Sequence, residues 1–533
     1  MRYRIFGRAA CAAMLALAAA VAPAQDAGTV LRVVPPAELK ILDPIWTTSS
    51  ATRNHGYMVY DTLFGTDADG HAQPQMVDKY SASADRKTWE FTLRPGLAFS
   101  DGTPVTSQDV IASLTRWGQR DAIGQRMFAA MDKLQAIDAN SFRMSFREPF
   151  GLVAEVLGKT SANVPFIMPR RVAQTPADKQ IDDPIGSGPF VLDKGGFRAG
   201  DRVVYLRNAK YKPRPEPASG TAGGKRVHVD RVEWIALKDA QTQVSALLNG
   251  EIDVIEYAPA EHYPTLRTDA RTELVDVLPP QMMTVHFNHL VPPFDNPKVV
   301  RAALLAINQE AMLRAQAPYR DLYRPCASIA PCGAATAAGD APWFTGKPQF
   351  EQARSLLKEA GYDGKPVVLM QPTDQVLLNK YPLVYAQLLK QAGFNVEVQS
   401  MDWGTLISRR ARKEPADKGG WNVFITGWSG SDAINPLFYP PLTGNGEQGY
   451  FGWPSDAQLE NLKTRFLAAG DPAERQRVAA LIGQRALEAG VIGPIGEMNV
   501  LTAIRRGALS GLLKGQLGVY WNVRKNPIGT RSQ

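Results

Sequence analysis

Cysteine and long hydrophobic runs are both scarce in this sequence of 533 residues. Beyond the N-terminus, no stretch approaches the roughly 18 consecutive apolar residues that a membrane-spanning helix needs. Of the three cysteines, Cys11 lies in an N-terminal apolar stretch, which leaves Cys326 and Cys332 for the body of the chain. The sequence therefore predicts no spanning helix after the N-terminus, and cysteine can contribute at most one local pair.

A strong excess of charge of one sign is missing as well. The chain has 60 Lys and Arg against 52 Asp and Glu, and the basic residues are scattered. The densest basic cluster lies within residues 409–413 and is followed by Glu414 and Asp417. We expect this cluster to be a solvated helix end, and no nucleic-acid partner is predicted.

Enzyme motifs are also absent. There is no H-E-x-x-H, no Walker A loop and no G-x-G-x-x-G after a strand. The segment Gly427–Ser431 approaches the nucleophile elbow G-x-S-x-G but ends in serine, and no histidine has a recognisable triad context. His286 and His289 would point to opposite faces of one strand, which argues against a shared metal ion. We predict no catalytic residue, no metal and no cofactor.

Cys326 and Cys332 are separated by A-S-I-A-P. In an oxidising compartment, an isolated pair this close in sequence predicts a disulfide that staples a loop. Two free thiols are the alternative. A zinc site is disfavoured because no further cysteine or histidine lies nearby.

The first 24 residues predict an export signal. Arg2, Arg4 and Arg8 form a basic start, and residues 9–21 are apolar with small side chains. Residues 22–24, A-P-A, fit a cleavage site. We therefore expect cleavage after about Ala24 and export of the mature chain.

The remaining chain is too long for a single hydrophobic core, which predicts two or three domains. Polar and apolar residues alternate over Lys87–Leu93, as in a strand, and a capping box opens a helix over Thr106–Trp117. Further helices are predicted over Asn54–Phe64, from its aromatic spacing, and from Asp471 to about Ala489. Strands and helices alternate throughout, which indicates an α/β protein.

The segment Trp421–Pro436 reads W-N-V-F-I-T-G-W-S-G-S-D-A-I-N-P. An apolar strand over Asn422–Thr426 runs into glycines and small residues that leave the backbone accessible to a ligand. Trp428 adds a flat apolar face, and Asp432 adds a carboxylate that could meet a cation. The alternative is a core tryptophan, a glycine turn and a helix-capping Asp432.

Residues Met76–Gly118 contain W-E-F-T-L-R-P-G and D-G-T-P-V-T-S-Q-D-V at a specific spacing. In this run the chain resembles the large extracytoplasmic solute-binding proteins of ABC importers, family 5, which carry peptides, opines and nickel chelates. The resemblance continues over nearly all of the chain after the export signal. The further matching segments are P-I-G-S-G-P-F-V-L (Pro184–Leu192), V-D-R-V-E-W-I and A-L-L-N-G-E-I-D-V within Val229–Val254, N-P-K-V-V-R-A-A-L-L-A-I-N (Asn296–Asn308), Q-A-R-S-L-L-K-E-A-G-Y (Gln352–Tyr362) and the G-W segment at Gly427.

This resemblance implies two lobes around a cleft, the type II periplasmic-binding-protein fold of the large peptide-binding class. Two chain crossings, near Met283–His286 and near Met498–Thr502, would form a hinge that closes around a ligand. The implied divisions are lobe 1 core at 25–69, 186–283 and 501–533, an inserted subdomain at 70–185, and lobe 2 at 284–500.

The resemblance also implies a function. The chain would be the periplasmic component of an importer, a monomer that captures a peptide or similar amine-bearing solute and delivers it to inner-membrane permease subunits. One alternative keeps the fold but binds an opine, a metal chelate or a sugar. Another alternative is a periplasmic chaperone or an enzyme on the same fold.

Ligand contacts are implied residue by residue. The ligand backbone would pair with one segment from each lobe, and Asp432, four residues after Trp428 and one more than in peptide binders, would receive its ammonium group. Trp403 would line the cleft or, alternatively, belong to the lobe core. Dipeptide binders carry a carboxylate-clamping arginine where this chain has Leu369–Asp374, which disfavours strict dipeptide specificity. The implied pairing residues are Glu38, Leu39, Lys40, Gly427, Trp428 and Ser429.

Overall fold

A computed structural model of the protein describes residues 29–317, 319–334, 336 and 341–526. The predicted export signal lies outside the described residues. Within the described part of the chain, no helix combines the length and apolar composition needed to cross a membrane.

The first half of the chain builds one sheet-based body with an insertion. Its elements in chain order are β1 Val30–Val34, α1 Ser50–Val59, β2 Asp61–Thr62, β3 Phe64–Thr66, β4 Ala72–Pro74, β5 Val77–Ala82, β6 Thr88–Leu93, α2 Ser107–Trp117, α3 Ala122–Ala130, β7 Met131–Ala136, β8 Ser141–Phe146, α4 Val153–Gly158, β9 Phe166–Ile167, α5 Arg170–Ala173, β10 Phe190–Leu192, β11 Arg202–Arg207, β12 Arg231–Ile235, α6 Ala240–Asn249, β13 Val254–Ile255, α7 Tyr263–Thr268 and β14 Thr272–Val275.

The second half builds another body and then returns to the first. Its elements are β15 Gln281–Phe287, α8 Pro297–Leu305, α9 Gln309–Gln316, β16 Tyr323–Arg324, α10 Phe350–Glu359, β17 Val367–Pro372, α11 Tyr381–Gln391, β18 Val396–Met401, α12 Trp403–Arg409, β19 Val423–Ser429, α13 Gly430–Ile434, α14 Ala457–Ala468, α15 Pro472–Glu488, β20 Gly493–Met498, β21 Thr502–Arg505, β22 Leu509–Ser510 and β23 Arg524–Lys525.

Two large sheets define the two lobes. The sheet of lobe 1 has seven strands in the order β10-β11-β12-β1-β13-β21-β14, with β1 parallel to both of its neighbours. The sheet of lobe 2 has six strands in the order β16-β20-β15-β19-β17-β18, and every residue of β15 is buried. Strands covered on both faces are rich in apolar residues, which explains why such residues predominate in β15 and β19.

The chain passes between the two sheets twice. It leaves the lobe 1 sheet after Val275 and enters the lobe 2 sheet at Gln281, a few residues before the predicted boundary at 283/284. It returns between Met498 and Thr502. Two neighbouring connections, residues 276–280 and 499–501, therefore join the lobes.

A four-stranded antiparallel sheet, in the order β5-β6-β8-β7, forms a separate layer with α2 and α3 in the inserted region. The alternating burial of β6 confirms the predicted strand. Both bonds of the predicted capping box are present between Thr106 and Asp109, and the helix runs to Trp117 as expected. The helix predicted from Asp471 is also confirmed, with Asp471 as its cap.

The helix predicted over Asn54–Phe64 is wrong in its bounds, because α1 spans Ser50–Val59. The aromatic residues that suggested it are buried, as expected of core residues, but Tyr60 is extended and Phe64 already belongs to β3. Their spacing does not reflect one continuous helical face, because β2 separates α1 from β3, and Tyr57 and Tyr60 belong to one buried cluster while Phe64 belongs to another.

The predicted Cys326–Cys332 disulfide is present in the loop after β16, with Cα atoms 5.9 Å apart. The backbone N–H of Cys332 donates to Glu497 Oε1 at 2.6 Å, and Arg324 donates to the Cys332 carbonyl at 3.1 Å. The bridge therefore closes a loop that is also hydrogen-bonded to β16 and β20.

Candidate functional site

A cavity of about 90 Å³ lies between the two lobes, and the carboxyl end of β19 forms part of its wall. Lobe 1 contributes the segment before α1, the first turns of α1 and Tyr257, while lobe 2 contributes β15, β19 and α12. Its lining residues are Pro36, Thr48, Ser49, Ser50, Arg53, Ala162, Tyr257, Gln281, Met283, Gln375, Leu377, Leu378, Trp403, Ile407, Arg410, Thr426, Gly427, Trp428, Ser429 and Asp432.

A second cavity of about 140 Å³ adjoins the first and shares part of its wall, including Tyr257, Gln375 and Trp403. Glu38 and Lys40 line this second cavity, whereas the side chain of Leu39 is buried in the lobe 1 core. The ligand-contact residues predicted from the sequence therefore lie around one interlobe space, formed by the two cavities. The side chain of Leu39 is the exception.

Among the residues that the structure describes, the backbone of Gly427–Ser429 is paired on one edge only. These residues are antiparallel to Gln281–Met283 of β15, whereas β19 meets β17 on its other edge only at Val423. A Cβ atom at Gly427 would lie 3.1 Å from the Met283 sulfur, so only glycine fits without displacing the side chain that also lines the cavity. The unpaired edge can therefore accept an additional extended chain.

Two tryptophans wall the cavity. Trp428 packs edge-on against Tyr439 and Tyr450, at ring distances of 5.8 and 5.6 Å, and its indole N–H has no partner among the described residues. Trp403 is half-buried at the start of α12 and lines both cavities. It also packs against two separate clusters of buried apolar residues. Together they supply flat apolar surface to whatever the cleft encloses.

Asp432 is buried and already has a cationic partner. Its Oδ2 accepts from Arg53 Nη1 of α1 at 3.1 Å, a contact that joins lobe 2 to lobe 1. Burial raises the pKa of the Asp432 carboxyl, while Arg53 and Lys159 oppose that shift. Its Oδ1 has no hydrogen-bond partner among the described residues, so one acceptor remains for a ligand.

Further contacts hold the lobes together around the cavities. Lys40 Nζ is 3.0 Å from Asp402 Oδ1, and Gln375 donates to the Pro36 carbonyl at 3.0 Å. Arg410 Nη2 of lobe 2 donates to Thr48 Oγ1 of lobe 1 at 2.8 Å. The structure is therefore a closed arrangement in which polar contacts from both lobes surround the cavities.

The expectation of a solvated basic cluster at 409–413 is wrong for Arg410, which is only 2% exposed. Its position directly after α12 turns it toward the cleft, where it meets Thr48 and Tyr450. Sequence reasoning missed both Arg410 and Arg53 as cavity residues. The only signal was the doubled arginine at 409 and 410, which carries no information about which of the two is buried.

Glu256 lies just behind the cavity wall formed by Tyr257. Its carboxylate accepts from Tyr520 O–H at 2.7 Å and from Asn54 at 3.4 Å. Burial raises its pKa to about 7, although the Tyr520 hydrogen bond and the charge of Arg53 act in the opposite direction.

This pKa shift predicts a pH dependence of stability. The ordinary glutamate pKa is about 4.5, so the folded protein holds this proton more tightly than the unfolded chain. The contribution of Glu256 to the free energy of unfolding should therefore fall between pH 4.5 and 7, by on the order of 3 kcal/mol, and level off above pH 7. Urea unfolding of wild type and Glu256→Gln across this pH range checks this prediction. The difference between their free energies of unfolding isolates the contribution of Glu256. A constant difference across the range would contradict the raised pKa.

Comparison with known proteins identifies a family and relatives that this chain resembles. The model of the bacterial extracellular solute-binding proteins, family 5, matches residues 71–450. A probable peptide ABC transporter periplasmic-binding protein of Sinorhizobium fredii is 35% identical over 91% of this chain and 92% of its own length. A glutathione-binding protein of Salmonella typhi is 27% identical over 82% of this chain and 83% of its own length.

Solved structures share the fold at lower sequence identity. The binding protein AgaA of A. tumefaciens R10, in complex with agropinic acid, has a TM-score of 0.78 and 22% identity, covering 93% of this chain and 99% of its own. The Haemophilus influenzae protein OppA, in complex with the peptide RPPGFSPFR, has a TM-score of 0.76 and 18% identity, covering 94% and 99%. The fold class inferred from the sequence, two lobes of the type II class, is thereby confirmed. With a family match over most of its length and a relative of 35% identity, the chain belongs to the bacterial extracellular solute-binding proteins of family 5.

Proposed function

We propose that this protein is the periplasmic substrate-binding component of an ABC importer, which captures a peptide or similar amine-bearing solute and delivers it to inner-membrane permease subunits. The observation that carries the proposal is the unpaired edge of Gly427–Ser429 in a cavity between two hinged lobes. The probable peptide-binding role of the Sinorhizobium fredii relative supports it. The protein acts as a monomer, without catalysis, and its N-terminal signal directs it to the periplasm.

Capture follows from the two interlobe connections. The lobes, divided as predicted from the sequence except that lobe 2 begins at Gln281, rotate about residues 276–280 and 499–501 and close over the ligand. Closure is favoured only to the extent that the ligand binds the closed form more tightly than the open one. The closed form is then the species that the permease recognises.

The ligand is held in part through its backbone. An extended segment pairs with the free edge of Gly427–Ser429 and with Glu38–Lys40 of lobe 1. Trp403 and Trp428 contact its apolar groups, and Asp432 Oδ1 accepts one hydrogen bond from its ammonium group. Because Arg53 already neutralises Asp432, this last contact orients the ligand and does not supply its main charge partner.

A second candidate is a compact non-peptide solute such as an opine. The small volume of the interlobe cavities favours a ligand of limited size in the closed form. The absence of an arginine within Leu369–Asp374 also argues against strict dipeptide recognition. The fold neighbour in complex with agropinic acid shows that this architecture accommodates such a solute.

A thermal-shift screen separates these candidates. The panel contains tri-alanine, longer peptides, glutathione, mannopinic and agropinic acids, a sugar and nickel, and native mass spectrometry identifies co-purified solutes. We expect a peptide or an amino-acid conjugate to raise the melting temperature, by an amount that grows with the logarithm of its concentration relative to its dissociation constant. Stabilisation by sugar or nickel alone, or chemical turnover of a bound solute, would contradict the proposal.

A further inference from the structure

Arg410 is a buried cation without an anionic partner. It is 2% exposed and lines the 90 Å³ cavity, yet no carboxylate of the described residues lies within salt-bridge distance of its guanidinium. Burial lowers the pKa of Arg410, as expected for a charge removed from water. Buried charges in proteins are normally paired, so an unpaired guanidinium in a binding cavity calls for a partner from outside the chain.

The present contacts of Arg410 are all with neutral groups. Nη1 donates to the Tyr450 hydroxyl at 3.1 Å, Nη2 donates to Thr48 Oγ1 at 2.8 Å, and Nε has no partner within the described part of the chain. The guanidinium carbon lies 4.4 Å from the ring centre of Phe451. These contacts orient the guanidinium but leave its charge uncompensated.

The charges of the whole cavity wall do not cancel. Only three of its lining residues carry a formal charge near neutral pH, namely Arg53, Asp432 and Arg410. Arg53 and Asp432 pair with each other at 3.1 Å. The wall therefore keeps one net positive charge, which lies on Arg410.

We propose that Arg410 binds a carboxylate of the transported solute, so that the ligands of this protein are carboxylate-bearing and cationic or uncharged analogues are rejected. The planar guanidinium offers parallel N–H donors that match a carboxylate. Because Thr48 of lobe 1 also contacts Arg410, a carboxylate bound here lies at the seam between the lobes and favours closure. This inference rests on the proposed function only in taking the interlobe cavity as the binding site.

Isothermal titration with matched acid and amide ligands tests the proposal on the full-length mature protein. The probes are tri-alanine and its C-terminal amide, and succinate and succinamide as a pair without a peptide bond. We expect wild type to bind at least one acid about tenfold or more tightly than its amide, as a charge-assisted contact predicts. Arg410→Met should abolish this preference, and Arg410→Lys should keep part of it. Arg412→Met, which removes the same charge from an exposed position two residues away, should keep all of it.

The outcomes separate this inference from the proposed function. Equal binding of acid and amide by wild type overturns the carboxylate site even if peptides bind, and this comparison needs no variant to fold. An unchanged preference in Arg410→Met also overturns it. Binding of succinate in preference to succinamide, with no binding of any peptide or opine, contradicts the proposed solute class and keeps the carboxylate site. If neither acid binds wild type at millimolar concentration, the inference fails.

Discussion

Arg53→Met should lower ligand affinity by about 100-fold or more, and the double variant Arg53→Met/Asp432→Leu should recover part of that loss. Arg53 and Asp432 are both buried in the closed form and lie on opposite lobes. Removing one partner of a buried pair leaves the other charge uncompensated, at a cost of about 3–5 kcal/mol. That cost applies to the closed form, because opening exposes Asp432 to water again. The double variant removes both charges, so the penalty for closing is largely relieved.

Calorimetry with the tightest ligand of the thermal-shift panel measures these affinities, and small-angle scattering reports the fraction of closed protein. Arg267→Met is a matched control, since Arg267 makes a 3.4 Å interlobe contact with Asp321 that is solvent-exposed. An exposed pair of this kind contributes about 1 kcal/mol or less, so this variant should change affinity by less than about fivefold. Wild-type affinity in Arg53→Met, or further loss in the double variant, would show that the pair does not control closure.

Asp43→Ala should lower the free energy of unfolding by about 3–5 kcal/mol. Asp43 is buried and accepts two bonds from Arg116 of α2, at 3.1 and 2.6 Å, and one each from the backbone N–H groups of Ile45 and Ile181. Without the Asp43 carboxylate, the Arg116 charge and two backbone N–H groups stay buried but lose their acceptor. This junction also ties the segment carrying Glu38 and Lys40 to the inserted subdomain.

Urea unfolding followed by tryptophan fluorescence tests the expected loss. The exposed Asp417 on lobe 2 provides the control, because its replacement by alanine should change stability by no more than about 0.5 kcal/mol. A loss below about 1 kcal/mol in Asp43→Ala would mean that Arg116 finds water or another partner when Asp43 is removed.

Closure around a carboxylate gives the charged residues of the cleft distinct tasks. Arg53 and Asp432 neutralise each other within the protein. Burying these two charges on closure therefore requires no opposite charge from the ligand. Arg410 is left for the ligand, so that closing over a solute without an anionic group leaves a buried charge unpaired. Specificity then arises as much from the penalty for the wrong solute as from attraction to the right one.

Local features of the fold were predictable because their causes are local. The capping box at Thr106 and Asp109, the cap at Asp471 and the alternation in β6 each depend on residues a few positions apart. The disulfide joins two cysteines six positions apart, and it was predicted from their closeness in sequence, the lack of other cysteines nearby and the expected oxidising compartment. The extent of α1 was mispredicted, because the same aromatic spacing suits one helix or a helix followed by a strand.

The sequence by itself determined the α/β class, the family and the stretch at Gly427–Ser429 that reaches the cleft, because composition, periodicity and motif spacing are properties of contiguous residues. Only the tertiary structure decided which charged side chains pair with each other and which keep an uncompensated charge. The partner of Asp432 is 379 positions away in the chain, on the other lobe. The difference between the half-buried Arg409 and the buried Arg410 depends on which lobe surface closes over the end of α12. Desolvation and pairing are set by that three-dimensional neighbourhood, and no pattern along the chain encodes them.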